Sequence, residues 1–390
     1  MIIIIGAGIS GLYLGYLLKK SNREFIILEK EDRYGGRVQV GDFFNKQVVL
    51  GAGIGRFEKD KILYNLCEEL NVPTQKYKTN INYSFKVDIP LMCSVNYLKK
   101  IYKKNTNLRS KLNFLDFLYQ YYEDAYNFIK ISGYTDYIHA DIEDTLYEYG
   151  FEDNVSGYEA FSIKWQILLD NLYNILKNNI HLNEEVIKCN TQESYIITNK
   201  GKYTYQNLIC STPVNIARKI FPNIEILSHL NCQSFSRIYA KIGKNNDQLK
   251  EKIKNFTIVD SFLQKIIPID SDNGIYMLGY NDNFNADLSF KYFMTFDKKI
   301  MYNLLEKEIE KIFDIKVEIE LSKIAYWEYG TTYYLPLAQS YKDRNDWLSN
   351  AINPIEKIFF IGEGFSHNQG WVEGSLESVH NIYKIFNINK

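Results

Sequence analysis

IIIIGAGISGLYLGYLL, residues 2–18, is the stretch on which the fold turns. Four isoleucines closed by a glycine read as a short, fully buried strand, and the apolar residues after them recur at the three- and four-residue spacings of a helix. Gly6, Gly8 and Gly11 stand at the junction as G-x-G-x-x-G. Gly6 permits the tight turn, Gly8 lets a pyrophosphate approach the backbone, and Gly11 lets the helix pack closely on the strand. Phosphates would sit at the helix N-terminus, where unpaired N–H groups and the dipole favour negative charge. A second apolar run, FIIL at 25–28, closes a βαβ unit. Glu29 ends that run eighteen residues beyond Gly11, close to the spacing of an acid that holds ribose hydroxyls. The expectation is an α/β, Rossmann-type dinucleotide domain.

Outward from this unit, KILYNLCEEL (61–70) predicts an amphipathic helix stopped by Asn71 and Pro73. Residues 92–180 carry mostly helical spacing and read as an insertion. Strand patterns return at 185–190, 194–198, 207–212, 235–243, 274–280 and 292–296. A helix is expected over 300–313, strands over EIELSKIAYW (318–327) and KIFFIG (357–362), and a last helix from about 372. No internal repeat or low-complexity linker appears. Two interleaved domains are expected: a nucleotide-binding one from 1–75, 181–232 and 330–390, and an α+β substrate domain from 76–180 and 233–329.

The chain of 390 residues balances 46 basic against 47 acidic side chains, so its net charge of -1 excludes a general pull toward nucleic acid or anionic membrane. Five cysteines, odd in number and without CxxC spacing, read as reduced core residues of an intracellular protein, and no metal site is expected. MIIII lacks the basic leader of a signal peptide, and no apolar run reaches the roughly 18 residues that span a bilayer. The chain carries no apolar tail after NIYKIFNINK either. The expectation is a soluble, cytoplasmic protein without a membrane partner.

The fingerprint alone does not separate nicotinamide from flavin; LEKEDRYGGRV (28–38), with Gly35, Gly36 and Arg37 just after the acid, does. This pattern is similar to that of proteins holding FAD in a glutathione-reductase-like fold. Over both ends and the middle, the chain resembles the flavin-containing amine oxidases, the superfamily of monoamine, polyamine and L-amino acid oxidases. VVLGAGIGRF (48–57), with Gly53, looks like the segment beneath the isoalloxazine ring. HLNEEVIKCN (181–190) supplies Val186 for the adenine, and YQNLICSTP (205–213) resembles the strand that returns to the FAD domain. YWEYGTTYYLP (326–336) and FIGEGFSHNQGWVEGSLESV (360–379) resemble the C-terminal flavin segments.

The resemblance implies non-covalent FAD, since Gly330 stands where covalent attachment occurs in some relatives. It implies that Gly36 and Arg37 meet the pyrophosphate, that Gly362 and Glu363 meet the ribityl and phosphate region, and that a helix starting near Val372 directs its positive end at the flavin. The four glycines of 360–379 would be the places where backbone nears the cofactor. The implied reaction oxidises a C–N bond of an amine or polyamine by hydride transfer to flavin N5, with O2 giving peroxide and the imine hydrolysing. Trp371 stands at one cage-ring position; Thr331 takes the other, with Tyr333 and Tyr334 beside it. Arg237 replaces a lysine that serves oxygen chemistry in many relatives, which implies slower reoxidation or a pocket for an anionic group. Arg56 lies near the position of a carboxylate-binding arginine of L-amino acid oxidases, so amino-acid substrates stand beside amines. The acidic run 141–153 is a candidate attractor for polycations. Flavoprotein isomerases or mutases, and a catalytically degenerate FAD-binding module, are the competing readings.

Overall fold

The structure, a computed structural model, describes residues 1–133, 138–148 and 156–388. Its parallel sheet has the spatial order 358–360, 207–210, 2–5, 25–28 and 180–181, drawn from both ends and the middle of the chain. Ile2 pairs with Phe25 on one side and Asn207 on the other. Continuous apolar runs suit strands covered on both faces, and Ile3 and Ile4 are fully buried. Helices Ile9–Lys20, Trp165–Leu176 and Val372–Ile388 pack on one face through Leu12, Leu168 and Leu376. Val214–Ile220 and Arg344–Ile352 cover the other through Ala217 and Trp347.

A second sheet runs in the order 318–334, 230–244, 275–282, 265–270, 256–258 and 81–83. Its two long strands pair antiparallel from Leu230 opposite Tyr334 to Lys244 opposite Glu318. At one end Leu230 and Tyr334 belong to the core of the parallel sheet; at the other, Ile238, Ile242 and Ile319 belong to a separate core beneath Lys298–Phe313. These strands join the parallel-sheet half to the second sheet. Helices Leu91–Lys104, Phe114–Tyr121 and Ala125–Ile131 build a further apolar cluster around Phe114, Phe117 and Phe128.

Three local expectations are corrected. Residues 292–296 are not a strand: they end the helix Asn283–Thr295, whose Ala286 and Ser289 are buried at three-residue spacing, so the helical period over thirteen residues outweighs a short aromatic run. The helical stretch 92–180 is broken by the strand Glu159–Ile163, which pairs with Ile54–Arg56 and Thr74–Lys78. The acidic run is described only as far as 148; 149–153 lie outside the described residues. Within it Asp141 and Asp144 are buried, and Asp144 accepts from Arg344 Nε and Nη2 at 2.8 and 2.6 Å, so these two carboxylates answer a cation of the chain. Among the described residues no helix is long and apolar enough to cross a membrane, and no group of three acidic, histidine or cysteine side chains could hold a metal ion.

Candidate active site

The three fingerprint glycines meet three different demands. Gly6 adopts φ +101°, which disfavours any side chain. A Cβ on Gly11 would lie 2.1 Å from the Gly6 carbonyl oxygen, so helix and turn touch backbone to backbone. Gly8 has ordinary extended angles, and nothing lies within 4 Å of the place its Cβ would occupy. No atom of the chain therefore excludes a side chain at this position. The helix that follows has neither a side-chain cap nor an acid in its first turn, which leaves its positive end to an anion. Gly35 N–H donates to the Ala7 carbonyl at 2.8 Å, and Gly36, at φ +56°, lies against the Gly8 backbone.

Glu29 is buried and accepts from the N–H groups of Ala7 (2.7 Å) and Glu31 (2.9 Å), one on each oxygen, which leaves lone pairs for a hydroxyl. Its own carbonyl accepts from Glu184 N–H at 2.7 Å, which brings the segment leading to buried Val186 alongside.

Arg37 and Glu363 form a clasp. Arg37 Nη1 donates to Glu363 Oε1 and to the Gly330 carbonyl, both at 2.8 Å. Glu363 also accepts from Thr332 N–H (3.1 Å) and Gly370 N–H (3.0 Å). The two residues expected to touch the cofactor separately thus hold each other, and with them three distant segments. Arg37 keeps about a quarter of its side chain exposed, at 26%. They line a cavity with Thr212, Pro213, Gly362 and Thr332. Gly362, at φ +123°, again has nothing within 4 Å of its Cβ position. Gly364 and Gly374 differ: their Cβ positions would meet Thr332 Cγ2 at 2.9 Å and the Asn368 carbonyl at 2.2 Å, so packing within the protein accounts for them.

Arg56 departs from its expected role. Its Nε and Nη2 donate to Asp60 Oδ1 at 2.9 and 2.7 Å, Nη2 reaches Asn368 Oδ1 at 3.1 Å, and the guanidinium lies 4.0 Å from the Trp371 ring centroid. Asp60 is wholly buried and supplies the carboxylate that Arg56 was expected to take from an amino acid. Trp371 is half-buried, with a cation of the chain on its ring. Just after Val372, Glu373 accepts from Ile62 and Leu63 N–H groups, both at 2.9 Å, at the start of the helix Lys61–Glu69. Burial pushes its carboxyl up to about 7. Tyr333 is buried in the core behind the parallel sheet, and its hydroxyl accepts from Asn231 Nδ2 at 2.9 Å.

Arg237 sits on the strand Leu230–Lys244, between Tyr280 and Ala325 on the neighbouring strands, and is buried. Its guanidinium lies 4.3 Å from the Tyr280 ring centroid and 3.7 Å from Met277 Sδ. A Cβ on Gly53 would lie 3.5 Å from its Nη2, so the side chain ends against the loop that leads to Arg56. Lys241 is engaged elsewhere, on the Ile242 carbonyl and Glu320.

Residues 4–70 match the family model described as an NAD(P)-binding Rossmann-like domain. Among solved structures, a double mutant of putrescine oxidase superposes with a TM-score of 0.80 at 14% identity, over 99% of this chain and 98% of that one. Wild-type putrescine oxidase bound to putrescine gives 0.77 at 13% over 99% and 98%, and cyclohexylamine oxidase from Brevibacterium oxydans IH-35A gives 0.77 at 13% over 99% of both chains. This chain has the fold of these amine oxidases. Within it, sequence reasoning missed Asp60, the partner of Arg56, because a carboxylate four residues on reads equally as a solvated helix start. It also missed Gln233, which stands opposite Thr331 on the two long strands; the side-chain polar atoms of both are buried without a hydrogen-bond partner. Around them the strands mix polar and aromatic residues, NCQSF (231–235) and YGTTY (329–333), without a pattern that marks either; only the pairing brings them together.

Proposed function

We propose that the protein is an FAD-dependent oxidase acting on the C–N bond of a small amine. The observation that carries this is the open space over Gly8, a glycine that neither its backbone angles nor any atom of the chain requires, together with the open space over Gly362 in the cavity that Arg37 and Glu363 line. The shared fold supports it. FAD suits the donors present: Glu29 for ribose hydroxyls with Val186 beside it, the helix end after Gly8 and the partly exposed Arg37 for the pyrophosphate, and orphaned Gln233 and Thr331 for polar atoms further along. Buried polar groups without partners are rare, and a ligand that satisfies them accounts for them. Bound there, FAD would supply an acceptor for the hydride of the amine-bearing carbon, with O2 as the final electron acceptor.

The chain's own part is placement and charge. A neutral amine gives up hydride more readily than an ammonium, and Arg237, a buried cation with no carboxylate partner among the described residues, disfavours the ammonium form. Asp60 offsets the charge of Arg56 and holds it over the Trp371 ring. Trp371 presents a ring to orient substrate, and Gly330, whose Cβ would lie 2.4 Å from Phe235 Cδ1, has no room for a side chain that could attach the flavin covalently. Non-covalent binding is part of the proposal.

The test is the purified protein's visible spectrum, followed by anaerobic mixing with diamines, aromatic monoamines and L-amino acids. Flavin bands that bleach with one class support the oxidase. Flavin that no member bleaches shifts the assignment to an isomerase or a catalytically silent module, and protein without flavin overturns the reading.

A further inference from the structure

Four cationic side chains are buried among the described residues: Arg56, Arg237, Lys265 and Arg344. Three have internal carboxylates. Arg56 holds Asp60, Arg344 holds Asp144, and Lys265 holds Asp282. Arg237 is the exception. Its neighbours are the Met277 sulfur, the faces of Tyr280 and Phe235, and the hydroxyl of Tyr239, whose titration burial pushes up to about 12, so that it remains neutral. Its Nε has no hydrogen-bond partner. With 5% of its surface exposed, it cannot turn to water for a counter-charge.

Leaving a guanidinium buried and unpaired is strongly unfavourable, because desolvation is not offset by an opposite charge. The chain meets that demand at three sites and leaves it open at one. Resting on the FAD reading, we infer that Arg237 is the anchor for a carboxylate of the substrate, so the amine oxidised here carries an acidic group. The guanidinium is always charged, and its planar fork matches a carboxylate in two parallel hydrogen bonds. One cation balances the single charge of a carboxylate and leaves a phosphate in excess. Tyr280 and Phe235 give the site apolar walls, and the guanidinium ends against the Gly53 loop, which runs on to Arg56 and its partner Trp371. The amino-acid alternative thus moves from Arg56, which is satisfied by Asp60, to Arg237.

Benzoate, a carboxylate that cannot be oxidised, and benzamide, its neutral counterpart, are titrated into the holoprotein by calorimetry and by perturbation of the flavin spectrum. Wild type is expected to bind benzoate and to discriminate against benzamide, and Arg237→Met to weaken benzoate at least ~10-fold while leaving benzamide unchanged. Arg237→Lys, which keeps the charge without the fork, recovers part of the loss. The melting temperature of ligand-free Arg237→Met is expected to equal or exceed that of wild type, since the substitution removes an unpaired buried charge. Equal affinity for both probes in wild type overturns the inference, as does an Arg237→Met protein that melts lower and binds both equally less well. A variant that shifts the flavin's reduction potential but leaves benzoate binding intact also overturns it, by assigning Arg237 to the cofactor's charge. If Arg237→Met does not fold, the wild-type probe comparison and Arg237→Lys decide. Calorimetry reads benzoate even in flavin-free protein, so failure of the FAD reading is seen separately, in the absorbance of the preparation.

Discussion

Gly8 and Gly11 sit three residues apart in one motif, yet substituting them should produce opposite defects. At Gly8 an added Cβ meets nothing within 4 Å, and φ -69°, ψ 175° is an angle pair any residue adopts. Gly8 is also the N-cap of Ile9–Lys20, where alanine is worse than glycine by roughly 0.5–1 kcal/mol. Against that, replacing glycine where the backbone suits alanine gains about 0.4–1 kcal/mol through the unfolded chain. The two nearly cancel, so Gly8→Ala should leave the stability of the apoprotein within about 0.5 kcal/mol of wild type. Gly8→Val adds two further methyls to the same open space, and should fold while excluding a pyrophosphate.

At Gly11 the Cβ would lie 2.1 Å from a backbone oxygen, so helix and turn must part by roughly 1 Å. Forced separation of packed backbone costs about 1–3 kcal/mol, here toward the upper end because no flexible side chain can yield. The assay is a thermal or urea melt of each apoprotein together with the flavin-to-protein absorbance ratio of each preparation. Gly8→Val should melt near wild type and be colourless; Gly11→Ala should melt low. A Gly8→Val protein that retains full flavin, or a Gly8→Ala protein that melts as low as Gly11→Ala, refutes the argument that Gly8 is kept for a ligand.

Three further outcomes follow from the charged groups. Glu373, raised to about 7 by burial, binds its proton more tightly in the folded state, so it stabilises fully below the usual carboxyl range and that contribution is lost as pH rises through about 7; melts between pH 4.5 and 7.5 should show this slope in wild type and a flatter one in Glu373→Gln. Arg344→Met should cost about 3–5 kcal/mol in a urea melt, because it strands Asp144 in the core, and should leave flavin content unchanged. Arg237→Lys should raise the stopped-flow rate of flavin reoxidation by oxygen, since lysine can hold and exchange a proton that arginine cannot; an unchanged or slower rate removes Arg237 from the oxygen path.

The nucleotide-binding half was legible because its signals are local. A buried strand, a glycine-rich turn and a helix follow within eighteen residues, and the acid that completes them ends the next strand. The first strand and the final helix were read for the same reason, since a single period runs through each. The strand proposed at 292–296 failed because five residues carry too little periodicity to outweigh the helix in which they lie. The glycines of 360–379 were legible as points of close approach, but not what they approach: Gly362 opens onto the cleft, whereas Gly374 meets Asn368 of its own loop.

Charge pairing was the least legible level, and it changes the functional reading most. Arg37, Arg56 and Arg237 each read in sequence as a cation ready for a ligand, because spacing carries no information about partners brought in by tertiary structure. Glu363 reaches Arg37 across 326 residues, whereas Asp60 reaches Arg56 across four. Neither pairing is written in a motif. Once they are made, the charge of these three arginines is redistributed: Arg37 is shared between the chain and solvent, Arg56 is neutralised and serves Trp371, and Arg237 keeps a charge that no carboxylate of the described residues answers. The same argument accounts for the opposite stabilities expected of two arginine-to-methionine variants. Arg344→Met breaks a buried pair and leaves an acid behind, while Arg237→Met removes a buried charge that had no partner to lose. A fold that tolerates the second more readily than the first holds Arg237 for something other than its own stability.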